Sequence, residues 1–249
     1  MRLYKFILFV LIYFSYSASS WAIAGSNEVD MFTEQLAVFN DASTELKVLG
    51  SITLLSFLPI IAVSMTAFLR IVIVLSLLRH ALGIQQTPPN IALIALGLFL
   101  TFFTMQPTFS QINQYSLIPY QKGELPLNEA VYQGYLPLKS FMVSQTRERD
   151  IAAISNIANK DIPQSVEELE LYTLVPAFML SELTTAFKIA FIIFIPFLLI
   201  DLIVATVLMS LGMIMLPPIT VALPLKIMLF VLIDGWSLLT ESLIASFSS

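Results

Sequence analysis

Arg79-His80-Ala81-Leu82-Gly83-Ile84-Gln85-Gln86-Thr87-Pro88-Pro89-Asn90 is a polar, proline-stopped turn between two long apolar runs, and it reads as the loop of a membrane helical hairpin. The helix through Ser76-Leu77-Leu78 ends in Arg79 and His80, where the negative end of a helix dipole favours cations. Gly83 permits a left-handed cap after the last turn. Pro88 and Pro89 cannot continue that helix, so a new one is expected to start near Asn90.

The rest of the composition agrees with a membrane setting. Of 249 residues, 57% are apolar and only 12% are charged. A soluble domain carries roughly 25% charged residues, so the apolar surface here needs lipid or other subunits to cover it. There are no cysteines, which excludes disulfides and thiolate metal sites. The net charge of −5 leaves no basic patch for nucleic acid.

The amino terminus reads as a secretory signal. Arg2 and Lys5 precede an apolar core from Phe6 to Tyr16, and Ala22-Ile23-Ala24 supplies a small-x-small cleavage site. That core is too short to span a hydrocarbon layer, which needs ~20 helical residues. Cleavage after Ala24 is expected, leaving an acidic segment over 25–50 outside the cytoplasm. A first apolar hairpin is expected over 51–112, its first run interrupted by Pro59 and Arg70. A polar insertion follows over 113–173. Within it Phe141 to Ala158 reads as one helix, and Val166 to Glu170 as the start of another. Apolar sequence resumes at Leu174 and divides into two long arms, about 174–216 and 219–247. The expected fold is all-α, built of hairpins of long, proline-kinked apolar helices plus a helical polar insertion. By the bias of basic residues toward the cytoplasm, Arg79 and His80 place the first turn inside and the acidic flanks outside.

The two hairpin turns share a spacing. Leu82-Gly83 is followed after four residues by Pro88-Pro89, and Leu211-Gly212 after four by Pro217-Pro218. This suggests two hairpins of similar construction on either side of the insertion.

Two groups of residues are candidates for function. The first is the charges embedded in apolar sequence: Arg70, Glu182, Lys188, Asp201, Lys226, Asp234 and Glu241. A charge at a bilayer centre costs ~2.5–3.5 kcal/mol on insertion scales, so these must pair within protein or line a wet path. Glu182 and Lys188 fall on different faces of one helix, and Lys226 across the second hairpin is the expected partner of Glu182. The second group is Met209, Met213, Ile214 and Met215, beside the helix-breaking Pro217-Pro218. Methionine is flexible and polarizable, so copies around a symmetry axis could form a deformable apolar seal. Apolar constrictions of that kind close pores by excluding water.

The string Arg70-Ile-Val-Ile-Val-Leu-Ser-Leu-Leu-Arg79 through Asn90 resembles the FliP family, the P-type subunits of the flagellar and type III secretion export gate. So do Thr101-Phe-Phe-Thr-Met105-Gln-Pro107, Leu174-Val-Pro176 through Glu182 and Lys188, Asp201 through Pro217-Pro218, and Leu223-Pro-Leu-Lys226 through Asp234-Gly235-Trp236. The resemblance runs from about Leu54 to the carboxyl terminus, apart from the insertion. It implies a homo-oligomer of P-type subunits joined by Q-type and R-type subunits, with FlhB-like and FlhA-like export components as further partners. Unfolded flagellar export substrates would pass through the assembly. It implies a place in the bacterial inner membrane at the flagellar basal body, largely on the periplasmic side of the membrane plane. The family's constriction falls on Met213, Ile214 and Met215, with isoleucine where methionine is frequent, and its buried charges match Glu182 and Lys226.

The sequence holds one histidine, no cysteine and neither a His-Glu-x-x-His nor a Gly-x-Ser-x-Gly motif, so no enzymatic activity, cofactor or metal is expected. The competing reading is a secondary transporter of small solutes, whose broken helices and intramembrane charges look alike in sequence.

Overall fold

The computed structural model describes residues 44–84, 87–160, 168–213 and 215–247. The expected signal peptide and cleavage site lie outside the described residues. The chain divides into Met1–Gly50 and Ser51–Ser249, and the contacts below belong to the second unit. All regular structure among the described residues is helical: α1 (Thr44–Ser64), α2 (Phe68–Ala81), α3 (Asn90–Ile112), a π-helical turn (Asn113–Leu117), α4 (Ile118–Gln121), α5 (Leu127–Gln145), α6 (Glu148–Ile157), α7 (Leu171–Ser210), α8 (Pro218–Leu232) and α9 (Gly235–Ala245).

The first hairpin forms as its turn chemistry requires. Helix α2 ends at Ala81, with Arg79 and His80 in its last turn. Gly83 follows at φ +77°. Its N–H donates to the His80 carbonyl at 3.0 Å, and the Ile84 N–H donates to the Arg79 carbonyl at 3.3 Å. That satisfies carbonyls the helix end would otherwise leave open. Arg79 then crosses the turn, donating to the Asn90 Oδ1 at 2.6 Å and the Pro88 carbonyl at 3.3 Å. The second turn repeats this cap: Gly212 lies at φ +76°, and the N–H groups of Gly212 and Met213 donate to Met209 and Leu208 at 3.0 Å each. Both Leu-Gly pairs therefore end their helices in the same way. The surroundings differ. A side chain at Gly83 would meet Leu223 of α8, whereas a Cβ added at Gly212 would meet no described residue beyond its chain neighbours within 4 Å.

Helix α2 runs along α7 and is covered on its other side by α3. Ala67, Ile71, Val74, Leu75 and Leu78 are buried in that seam. Gly97 sets the spacing of α3 on α2, since a Cβ there would come within 2.7 Å of Val72. Helix α3 continues through the π turn to Gln121, an unbroken stretch of 32 residues. Ser116 in that turn donates to the Ala130 carbonyl at 2.6 Å, which ties α5 back onto it.

Four boundaries differ from those read in the sequence. The first apolar run is two helices, broken over residues 65–67. The helix expected from Phe141 to Ala158 is also two, divided at Thr146-Arg147, and the next starts at Leu171 after Glu170. Helix α7, by contrast, passes through Pro176 and Pro196 without ending, as the long proline-kinked arm read over about 174–216 requires, and reaches 40 residues. Proline is tolerated in apolar helices where neighbouring groups take up the freed carbonyls. The last arm is α8 and α9, bent by 66°. Asp234 stands in the bend at φ 50°, and Gly235 leaves room there for the Phe230 ring.

Candidate functional site

Three polar arrangements and one apolar turn hold the candidate residues. Arg70 is buried on α2, and all five of its N–H donors are used. Nε donates to Glu182 Oε2 at 2.9 Å, and Nη2 donates to Glu182 Oε1 and to Gln145 Oε1, the latter at 3.0 Å. Nη1 donates to the Ser246 carbonyl at 2.9 Å and its hydroxyl at 3.1 Å. The guanidinium also lies over the Phe247 ring, 3.8 Å from its centre. One side chain therefore joins α2, α5, α7 and the residues after α9. The fork geometry of arginine permits this, since it grips a carboxylate with two parallel bonds and keeps three donors for other groups.

The second arrangement lies farther along α7. Lys226 of α8 is buried, and its Nζ donates to Asp201 Oδ2 at 2.7 Å and to the carbonyl of Ala81, at the end of α2, at 3.1 Å. The contact of Phe197 with Phe230, with ring centres 6.5 Å apart, continues the same antiparallel register. The sequence suggested Glu182 and Lys226 as partners, and they are not. Glu182 pairs with Arg70 across 112 residues, and Lys226 with Asp201 inside the second hairpin. The embedded charges were recognisable one by one in the sequence. Their pairing was not, because it depends on α2 lying along α7. Gln145 and Ser246 were missed altogether, being ordinary polar residues at helix ends. Lys188 is exposed on α7 and forms no ion pair among the described residues.

A third cluster joins the insertion to α7. The Ser181 hydroxyl donates to Asp150 Oδ2 at 2.5 Å and accepts the Arg147 N–H at 3.0 Å, while Arg147 Nε donates to Asp150 at 2.8 Å. Burial would raise the Asp150 carboxyl, but the Ser181 bond and the Arg147 bond and charge outweigh it, leaving the group below its ordinary range.

The methionine turn sits at the free tip of the second hairpin. Met215 is 98% exposed, Met209 61% and Met213 41%. Ile214 lies outside the described residues. Within one chain, Met209 and Met215 are therefore not filling gaps in a core.

Long apolar helices, outward-facing apolar side chains and two ion pairs within the apolar segments define an all-α protein of membrane type. The FliP family's sequence model matches residues 51–243. The flagellar biosynthetic protein FliP of Bacillus subtilis (strain 168) is 52% identical over 83% of this chain and 94% of its own length. The protein of that name from Pectobacterium carotovorum subsp. carotovorum is 50% identical over 80% and 77%, and that from Cereibacter sphaeroides 49% over 81% and 67%. The chain belongs to the FliP family.

Proposed function

We propose that this protein is a core pore-forming subunit of the flagellar type III protein export gate, through which unfolded export substrates cross the bacterial inner membrane. The observation that carries this reading is the exposed methionine turn. Met213 and Met215 are exposed between the Gly212 cap and Pro217, and Ile214 lies between them in the sequence. Such a turn is costly in a lone chain in water. Repeated around an axis it becomes a ring of soft apolar side chains, which holds back ions and deforms around a passing polypeptide.

Several copies, joined by Q-type and R-type subunits, would bury the apolar faces of α3 and α7. The 40 residues of α7 measure about 60 Å, against a hydrocarbon core of ~30 Å. Part of that helix must therefore stand outside the hydrocarbon, which fits an assembly carried largely on the periplasmic side of the membrane plane. FlhB-like and FlhA-like components would act on the cytoplasmic side. The buried charges have structural roles here, because each carboxylate is matched by a cation instead of lining a wet path.

The test is to replace Met213, Ile214 and Met215 together by alanine in the full complex. Cells should become sensitive to sodium and leaky to small ions while the complex still assembles. Unchanged conductance at normal assembly levels would remove the sealing role.

A further inference from the structure

The ion pairs above leave one cation and two anions of the apolar segments unmatched. Lys188 is exposed on α7 among exposed Phe187, Phe191 and Ile192, with no anionic partner among the described residues. Asp234 and Glu241 are exposed and likewise unpaired, with Leu238 exposed one turn before Glu241. A charge held in such a setting requires a counter-charge from outside the chain.

Heights along α7 choose between the two acids. Arg70 binds Glu182 of α7 and Ser246 after α9, so these two stand level. Helix α8 runs antiparallel to α7 with Lys226 level with Asp201 and Phe230 with Phe197, a register that brings Asp234 near the level of residue 193. Helix α9 therefore runs antiparallel to α7 between these marks. Glu241 is five residues before Ser246, about 7 Å, and Lys188 is six residues after Glu182, about 9 Å. Lys188 and Glu241 share a height. Asp234, near the level of residue 193, is displaced from Lys188 by roughly 7 Å.

We propose that Lys188 of one copy pairs with Glu241 of the next in a repeating head-to-tail contact. Rotation about an axis parallel to α7 carries one copy to its neighbour without changing height, so two groups at one level on one subunit can meet across every interface of a ring. Different patches on the two partners make the contact heterologous, which permits closure or a shallow helix. The inference rests on the homo-oligomer in the proposed function.

Because the chain has no cysteine, a thiol cross-linker that spans the two removed side chains, about 10 Å, can report the contact without background from this chain. Two full-length copies with different tags, one Lys188→Cys and the other Glu241→Cys, are expressed together with the remaining gate components. A bis-maleimide of that length should give a dimer bearing both tags, with neither variant cross-linking to itself. Tags that co-purify without a mixed dimer would overturn the pair and leave the oligomer standing, whereas tags that never co-purify would count against the oligomer itself. A Lys188→Cys dimer with itself would refute the head-to-tail geometry. As a second measurement, Lys188→Glu or Glu241→Lys alone should reduce oligomer yield roughly tenfold, the scale of a desolvated charge pair, with recovery in the double reversal. No recovery would assign Lys188 to a lipid phosphate or another subunit's acid and refute the proposal.

Discussion

Replacing Glu182 by alanine tests the central packing of the fold. The side chain is fully buried and receives two of the five bonds made by Arg70. Its loss leaves a guanidinium in an apolar seam, held only by Gln145, Ser246 and the Phe247 ring. Removing one partner of a buried ion pair costs ~3–5 kcal/mol, because the remaining charge is uncompensated. That is a large part of the ~5–15 kcal/mol that holds a typical domain folded. Glu182→Gln keeps a carbonyl oxygen for one bond and should cost less. Replacing Arg70 and Glu182 together by Met and Leu should recover much of the loss, since neither charge is then buried. The assay is a double-mutant cycle on thermal stability in detergent, with complex assembly followed on native gels. Arg70 and Glu182 should show strong coupling. Glu182 and Lys226 belong to separate pairs and should be additive within ~0.3–0.5 kcal/mol. Wild-type stability of Glu182→Ala, or strong coupling of Glu182 to Lys226, would refute the pairing.

Further outcomes follow from other contacts. Gly97→Leu should push α3 away from Val72 and destabilise the protein by ~1–3 kcal/mol, the cost of overpacking a closed seam, seen as a lower melting temperature. Gly83→Ala should cost ~1–2 kcal/mol because its φ of +77° is left-handed; a neutral result would show that the cap can rearrange. The depressed Asp150 carboxyl contributes stability that is present above its ordinary value of 3.8 and is lost as pH falls through its lower folded value. Asp150→Asn should therefore flatten the acid limb of a melting-temperature profile taken from about pH 5 down to 2, while leaving the alkaline limb unchanged. Mass spectrometry of the mature chain should show Gly25 at the amino terminus, and an intact Met1 would refute cleavage.

The hairpin turns were legible because their information is local. Leu-Gly, four residues and two prolines state a left-handed cap and a stop, and both helices end as that chemistry requires. The all-α class was legible for the same reason, since long apolar runs with few charges have no other way to satisfy their backbone in lipid. Helix boundaries within the insertion were less so, because the break at Thr146-Arg147 is held by Ser181 and Asp150, side chains that meet only after α6 packs on α7. The prolines are read by their context: Pro88-Pro89 follow a glycine cap and precede a new helix, whereas Pro176 and Pro196 have no such cap before them and lie inside α7. Sequence alone determined which residues carry charge into an apolar interior. Tertiary structure decided which of them cancel: Arg70 reaches Glu182 from another hairpin, and Coulomb pairing depends on distance in space, to which separation along the chain is no guide.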